Sequence, residues 1–405
     1  MKITKLIAKN YRAFKSLEVS LTQVNLVIGK NGSGKSSIAR LIPLIIESIY
    51  KEELEFCPKG LDLGGRLTDI VTGNSISKPL SLGLEFELEN QKFTFETSLV
   101  SDIKSRRVII SNFTYQDEQG QLTFIKDTDS QNSDSYLQDD NSICIKFAGL
   151  LPNLESINNE KVRHRLAPLN KLKSNIHSQY LNYLGPFRST LQRVFPAKDY
   201  FSSNTGIDGK EAPYIVFTQA NNPDSKFINE INSWMHESMD ASGLEVQKDS
   251  ESFSIKISKN NLKTNIIDHG IGFSQILPLI TNRFSRKSDN IHGFEIVEQP
   301  ELHIHPSMCG SIIDLYLTIL NEEKNTCVLE THSKETILRL RRRVAESKGD
   351  MSSRVQLIYV DQNDDGSFID YIKILEDGSC SWWPQGVFEE AYDEVIAIEE
   401  AKHAS

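Results

Sequence analysis

What this 405-residue chain lacks narrows the field. No apolar run approaches the ~18–20 residues that a membrane-spanning helix needs, and lysines break up the apolar residues of MKITKLIAKNYRAF too early for a secretory leader. The five cysteines (Cys57, Cys144, Cys309, Cys327 and Cys380) are odd in number, scattered and without a CxxC pair, which is the usage of reduced thiols in a cytoplasmic protein. There is no basic excess: 45 Lys and Arg against 55 Asp and Glu give a net charge of −10. That excludes broad coating of nucleic acid but leaves room for a local basic stripe. No internal repeat and no sustained heptad runs along the chain, so neither a solenoid nor a coiled-coil arm is expected. What remains is an ordinary composition, 39% apolar and 25% charged, which can bury a sizeable core. The expectation is a cytoplasmic protein with no membrane contact.

Residues 2–28 read as strands and close on the apolar run Val24, Leu26, Val27 and Ile28. A helix is expected from Lys35 to Tyr50, kinked or split at Pro43. LSLGLEFELENQKFTFETSLV (80–100) alternates and turns at Glu89–Gln91, a hairpin, and another strand pair runs on to Lys126. The acidic, aperiodic DTDSQNSDSYLQDD (127–140) reads as a surface loop. Residues 153–183 and 223–240 read as helical, and 252–267 as a further hairpin. From 294 onward FEIV, a helix over Pro306–Asn321, TCVLE, a basic helix and VQLIYV alternate as in a parallel, helix-covered sheet.

The most informative stretch is VIGKNGSGKSSIARLI (27–42). Gly29, Gly34, Lys35 and Ser36 satisfy GxxxxGK[ST], with a buried strand before and a helix after. Glycines let backbone N–H groups turn inward, and the helix start adds partial positive charge where phosphates would lie. Asn31, Gly32, Ser33 and Ser37 complete the loop; Lys35 would reach the terminal phosphates of ATP, and the Ser36 hydroxyl would meet Mg2+. A metal carboxylate is then required at a strand end, and Glu298, after FEIV, is so placed. In IIDHGIGFSQILPLI (266–280), Gly270 and Gly272 precede Ser274 and a helix, a second potential anion-binding start. VLETHSKETI (328–337) ends a strand on His332.

Together these residues resemble the ATP-binding cassette ATPases of the RecF/SMC/OLD type. GKNGSGKS resembles their Walker A motif, VEQPELHIHP their Walker B and D-loop, GIGFSQ their signature and ETHS their switch-histidine loop. NYRAFKS resembles the family's N-terminal strand, so the resemblance carries a phosphate-approaching role to Arg12. YLGPFRSTLQRVF, NTGIDGKEA, LRLRRRV and SWWPQGVFEE resemble a subgroup of bacterial AAA-type ATPases with a C-terminal domain of no assigned function, some of whose relatives lie near Septu-like and OLD-like defence genes.

The fold implied is α/β: a P-loop ABC-ATPase head with a mixed or parallel sheet covered by helices, an N-terminal antiparallel β subdomain and an inserted α+β lobe. The expected division is 1–78 and 251–350 for the two halves of the head, 79–250 for the inserted lobe and 351–405 for a small extension. The resemblance implies a homodimer or higher oligomer, with ATP held between Walker A of one copy and Gly270, Gly272, Ser274 and Gln275 of the other. It implies an effector partner, a nuclease or another defence protein, with DNA as a further candidate.

One position departs from the family pattern. Where related cassettes carry a second acid, this chain has Gln299, whose amide positions water but takes no proton. Slow hydrolysis is the expectation, with Glu298, Gln299 and His332 as the catalytic set and Glu301 as a substitute base of restricted reach. The alternatives are a non-hydrolysing ATP-gated scaffold and a RecF-like DNA clamp. Several look-alikes read as structural. YVDQNDDGSF has Ile372 where an EF-hand needs Glu, so Asp365–Gly366 is a hairpin turn. His303 and His305 lack a third zinc ligand. The arginines of LRLRRRV read as a face paired with nearby acids, with a docking patch as the sharper alternative. Trp382 and Trp383 suit core packing as well as they suit a partner. No strand-and-glutamate arrangement of a nuclease domain follows His332.

Overall fold

The computed structural model describes the chain except residues 55, 76, 103–106, 179, 198–203, 240–242, 260–261, 290–292, 323–324, 389–396 and 398–405. The last two letters of SWWPQGVFEE therefore lie outside the described residues.

Val24–Gly29 is buried along its whole length, as a strand covered on both faces must be. It sits inside a six-stranded sheet of order Tyr180–Leu184, Gly293–Glu298, Thr326–Glu330, Val24–Gly29, Val355–Asn363 and Gly366–Ile372. All neighbours are parallel except the last pair. Side chains alternate across it: Val27, Ile296, Val328 and Ile358 join the core of the Lys35–Tyr50 helix, while Leu26, Ile28, Val297 and Leu329 join the core of the Pro306–Leu317 helix. In register, Glu298 lies opposite Glu330, and Glu330 opposite Val27. Three strands thus deliver their carboxyl ends to one edge, where open α/β sheets bind ligands.

The other face of the Lys35–Tyr50 helix meets an eight-stranded antiparallel sheet. Its order is Phe14–Ser20, Lys2–Tyr11, Leu80–Leu88, Gln91–Asp102, Arg107–Asp117, Gly120–Lys126, Ser135–Gln138 and Asn141–Cys144. Phe86, Phe93, Phe95, Phe113 and Phe124 share one core with Ile38, Leu41, Ile42 and Ile45 of that helix. A smaller sheet joins Phe195–Pro196, Ser252–Lys259, Gly243–Lys248 and Leu262–Asn265. Among the described residues no helix is long and apolar enough to cross a membrane.

Several expectations need correction. Pro43 lies inside one unbroken helix, Lys35–Tyr50, because apolar contacts on both sides outweigh the single backbone bond that proline forfeits. Residues 135–138 form a strand, not loop: Tyr136 is buried and its hydroxyl donates to the Ile110 carbonyl. Tyr180–Leu184, read as helix, is the parallel edge strand beside Gly293–Glu298, and Ala212–Ala220 is a helix with no sequence-based expectation. The expected division does not follow the sheets. Lys2–Tyr11 pairs with Leu80–Leu88 across the 78/79 boundary, and Val355–Asn363 pairs with Val24–Gly29 across the 350/351 boundary.

Candidate nucleotide site

The cradle is built at the carboxyl end of Val24–Gly29. A side chain on Gly29 would put its Cβ 2.0 Å from the Val360 carbonyl oxygen, so only glycine lets the loop start against the neighbouring strand. The helix then opens after Gly34, with Ser37 N–H donating to the Gly34 carbonyl at 3.0 Å. Asn31 and Gly32 are exposed, Ser36 and Ser37 half-buried. Ser33 is buried, and its hydroxyl has no partner. Lys35 is 4% exposed and folds back on its own loop, its Nζ donating to the carbonyls of Gly29 at 2.9 Å and Lys30 at 2.6 Å. Burial lowers its proton affinity, against the pull of Glu330. The loop is braced by the hairpin that mimics an EF-hand in sequence: Gln362 Nε2 donates to the Gly32 carbonyl at 3.0 Å, and Lys30 pairs with Asp361 at 3.4 Å.

Arg12 adopts a left-handed backbone, φ 51°, with its N–H donating to the Ile70 carbonyl. Its guanidinium donates to the Leu63 carbonyl at 3.3 Å and lies against Tyr11, whose hydroxyl donates to the Ser37 carbonyl. Arg12 is thus next to the first turn of the Lys35–Tyr50 helix, with Nε buried and unpartnered.

Two buried carboxylates end the neighbouring strands, each only 2% exposed. Glu298 is engaged on both oxygens: Arg40 reaches Oε1 at 3.0 Å and Oε2 at 3.2 Å, and the Tyr183 hydroxyl donates to Oε1. Glu330, which sequence reasoning passed over in favour of the histidine two places on, takes the Ser36 hydroxyl on Oε1 at 3.0 Å. Its Oε2 is buried without a partner. Burial, then the charge of Glu298, pushes the Glu330 carboxyl up to about 7. A signal was present: FEIVE and TCVLE both end on glutamate, and adjacent parallel strands bring such ends together.

Gln299 and His303 take left-handed conformations in the turn that follows, φ 44° and 61°. Gln299 N–H donates to the Glu330 carbonyl at 2.8 Å, and Arg188 donates to the carbonyls of Glu298 and Gln299. Glu301 accepts the His332 N–H at 2.6 Å and is too buried to ionise as readily as an ordinary glutamate. It therefore holds the histidine loop. His332 is half-buried, and desolvation, then the charge of Lys35, favours its neutral ring.

The second helix start is elsewhere. Gly270, φ 84°, turns the chain into the Ile271–Asp289 helix, with Gly272 in its first turn. Ser274 and Gln275 are 8% and 5% exposed, and Gln275 Oε1 is buried without a partner. With Arg188, Leu302 and His303 they border a cavity of 380 Å³ that none of residues 29–37 lines. Arg188 is 7% exposed; its Nε and Nη1 lack partners, and burial depresses its pKa to about 10. The structure thus gathers Lys35, Ser36, Glu298 and His332 on one side, and Gly270, Ser274 and Gln275 on another.

The look-alikes resolve as structural. Val355–Asn363 and Gly366–Ile372 pair as a hairpin around Asp364–Asp365. His305 caps the Pro306 helix by accepting the Ser307 N–H. Arg339 and Arg343 bind Asp314, Arg342 binds Glu346, and Arg341 donates to the Gly378 carbonyl, so the basic helix is a paired face. Trp382 and Trp383 donate to the carbonyls of Tyr371 and Val387.

The pattern of the AAA ATPase domain family matches residues 1–337. Among solved structures, an Smc head bound to the C-winged helix domain of ScpA is similar over 92% of this chain and 99% of its own, with TM-score 0.53 at 12% identity. The SMC head domain from Thermotoga maritima is similar over 92% of this chain and 100% of its own, with TM-score 0.44 at 13% identity. No curated protein matches the chain. At such identities the first likeness is one of fold, and it agrees with the α/β architecture built above. The match over residues 1–337 goes further: the chain belongs to the AAA ATPase domain family.

Proposed function

We propose that the protein binds ATP with Mg2+ at the Gly29–Ser37 cradle and that two copies close head to head around it, switching a partner effector. One observation carries this reading. The cradle with Lys35 and Ser36, and the helix start with Ser274 and Gln275, border different spaces in one chain, and each is a glycine-led helix start of the kind that suits an anion. Facing each other across a dimer, both would leave polar groups unsatisfied until a polyphosphate filled the gap. Ser36 and the carboxylates at the neighbouring strand ends offer only oxygen, a donor type suited to a hard divalent cation, which when bound would neutralise phosphate charge. Arg12 would approach the phosphates from beside the first helical turn, and His332 would meet the terminal phosphate as a neutral hydrogen-bonding group. Light scattering with and without ATP·Mg2+ tests the dimer: the mass doubles only with nucleotide if this reading holds, and stays monomeric if it does not.

Hydrolysis is slow in this reading, because Gln299 can orient water without accepting its proton. Gln299→Glu then raises phosphate release; a turnover already ordinary for a cassette and unchanged by this substitution would rule out the slow clamp. The second reading, an ATP-gated scaffold that does not hydrolyse, is favoured by the Gln299 amide and by the full engagement of Glu298 with Arg40 and Tyr183. Antiphage defence is the setting implied by the resemblance of the motifs, and capture of one effector from the native host in an ATP-dependent manner is its test. A DNA clamp would instead show salt-dependent duplex binding that disappears without ATP.

A further inference from the structure

Two carboxylates stand at the edge of the sheet, and they are not equivalent. Glu298 occupies the strand end at which sequence reasoning placed the metal ligand, but its Oε1 and Oε2 are both covered by the Arg40 guanidinium, with Tyr183 adding a third hydrogen bond. Its charge is already neutralised inside the protein, in the fork geometry that matches carboxylate best. Glu330 is the opposite case. It ends the strand between those of Glu298 and the cradle, its Oε1 holds the Ser36 hydroxyl, and its Oε2 is buried with no partner. A buried carboxylate oxygen without a partner is costly unless something arrives to meet it.

Resting on the nucleotide reading above, we propose that Glu330 is the carboxylate that meets the divalent metal beside Ser36, and that Arg40 and Tyr183 hold Glu298 in a structural ion pair outside the metal's shell. Glu298 then shapes the site by fixing Arg40 on the helix that begins at Lys35. Movement of Glu298 onto the metal would strip the half-buried Arg40 guanidinium of its ion partner. Glu330 needs no such exchange; its Ser36 contact only has to reorient.

The test compares ATP affinity in EDTA and in Mg2+ for the full-length protein, together with Mn2+ binding read by electron paramagnetic resonance in the presence of ATP. Thermal unfolding checks that each variant is folded. The wild type binds ATP in both media, more tightly with Mg2+. Glu330→Gln is expected to keep binding in EDTA and to lose about tenfold or more of the Mg2+-dependent gain and of Mn2+ affinity, with Glu330→Asp recovering part of both. Glu298→Gln is expected to lower thermal stability more than it lowers the metal-dependent gain. If Glu330→Gln retains the full Mg2+-dependent gain and the Mn2+ signal, this assignment is wrong while the nucleotide site stands, whether or not Glu298→Gln folds. Loss of the gain in folded Glu298→Gln overturns it equally. A wild type that binds no ATP in either medium removes both this assignment and the nucleotide reading.

Discussion

The two glycine-led helix starts differ in how complete they are. At the first, Lys35 satisfies its ammonium on the loop's own carbonyls, Ser36 is bound to Glu330, and the hairpin Gln362 braces Gly32, leaving the Ser33 hydroxyl and Glu330 Oε2 buried without a partner. At the second, Gln275 Oε1 and two nitrogens of Arg188 are buried beside an open cavity and have no partner. A chain that serves a nucleotide with one end and a second copy with the other would be built this way. In the proposed reading the first start stands ready in the single chain, with Lys35 held on the Gly29 and Lys30 carbonyls until phosphates draw it off. The second has value only when something approaches it.

Substitutions that act on one start and spare the other sharpen the contrast. The largest effect on stability is expected at Arg40. Arg40→Ala leaves Glu298 buried without its ion partner, with only the Tyr183 hydroxyl on it, and should cost about 3–5 kcal/mol, read by urea unfolding; a loss no greater than that of an exposed arginine would mean that the pair relaxes. Next comes the second start. Ser274→Arg should abolish ATP-dependent association in light scattering by filling the cavity edge with bulk and charge, yet weaken ATP binding by the single chain far less than loss of Lys35 does. If both properties fall together, the two starts act on one nucleotide within one chain. The smallest effect lies away from both starts. Burial alone would raise the Asp117 pKa, but two hydrogen bonds from Arg165, at 2.9 and 2.7 Å, hold it below the ordinary aspartate value of 3.8. The sign follows: this contribution is fully present above 3.8 and fades as pH falls through the lower folded value. Asp117→Asn should cost about 1–2 kcal/mol at neutral pH, flatten the acid limb of the stability curve and leave nucleotide affinity alone.

The sequence made the cradle legible because its geometry is local. A strand, two glycines, a lysine and a helix follow one another in the chain, and the parallel sheet announced itself by alternating FEIV, TCVLE and VQLIYV with helices. What stayed hidden is what comes together only through the sheet. Glu330 was visible as a letter, but its neighbour Glu298 is set by strand order, and Arg40 and Tyr183 reach Glu298 from other elements. Tyr180–Leu184 was misread for the same reason: a short apolar run with two tyrosines fits a helix as well as a strand until a partner strand fixes it. The acidic hairpin at Asp361–Gly366 looked like a metal loop in isolation and braces the glycine-rich loop through Gln362 and Asp361.

Isothermal titration of the purified, folded chain with ATP in Mg2+ goes most directly to the central claim. Saturable uptake is expected, weakened roughly tenfold to a hundredfold in Lys35→Ala as one charge-assisted contact to phosphate is lost. No detectable heat at millimolar ATP, or identical isotherms for the wild type and Lys35→Ala, would contradict it.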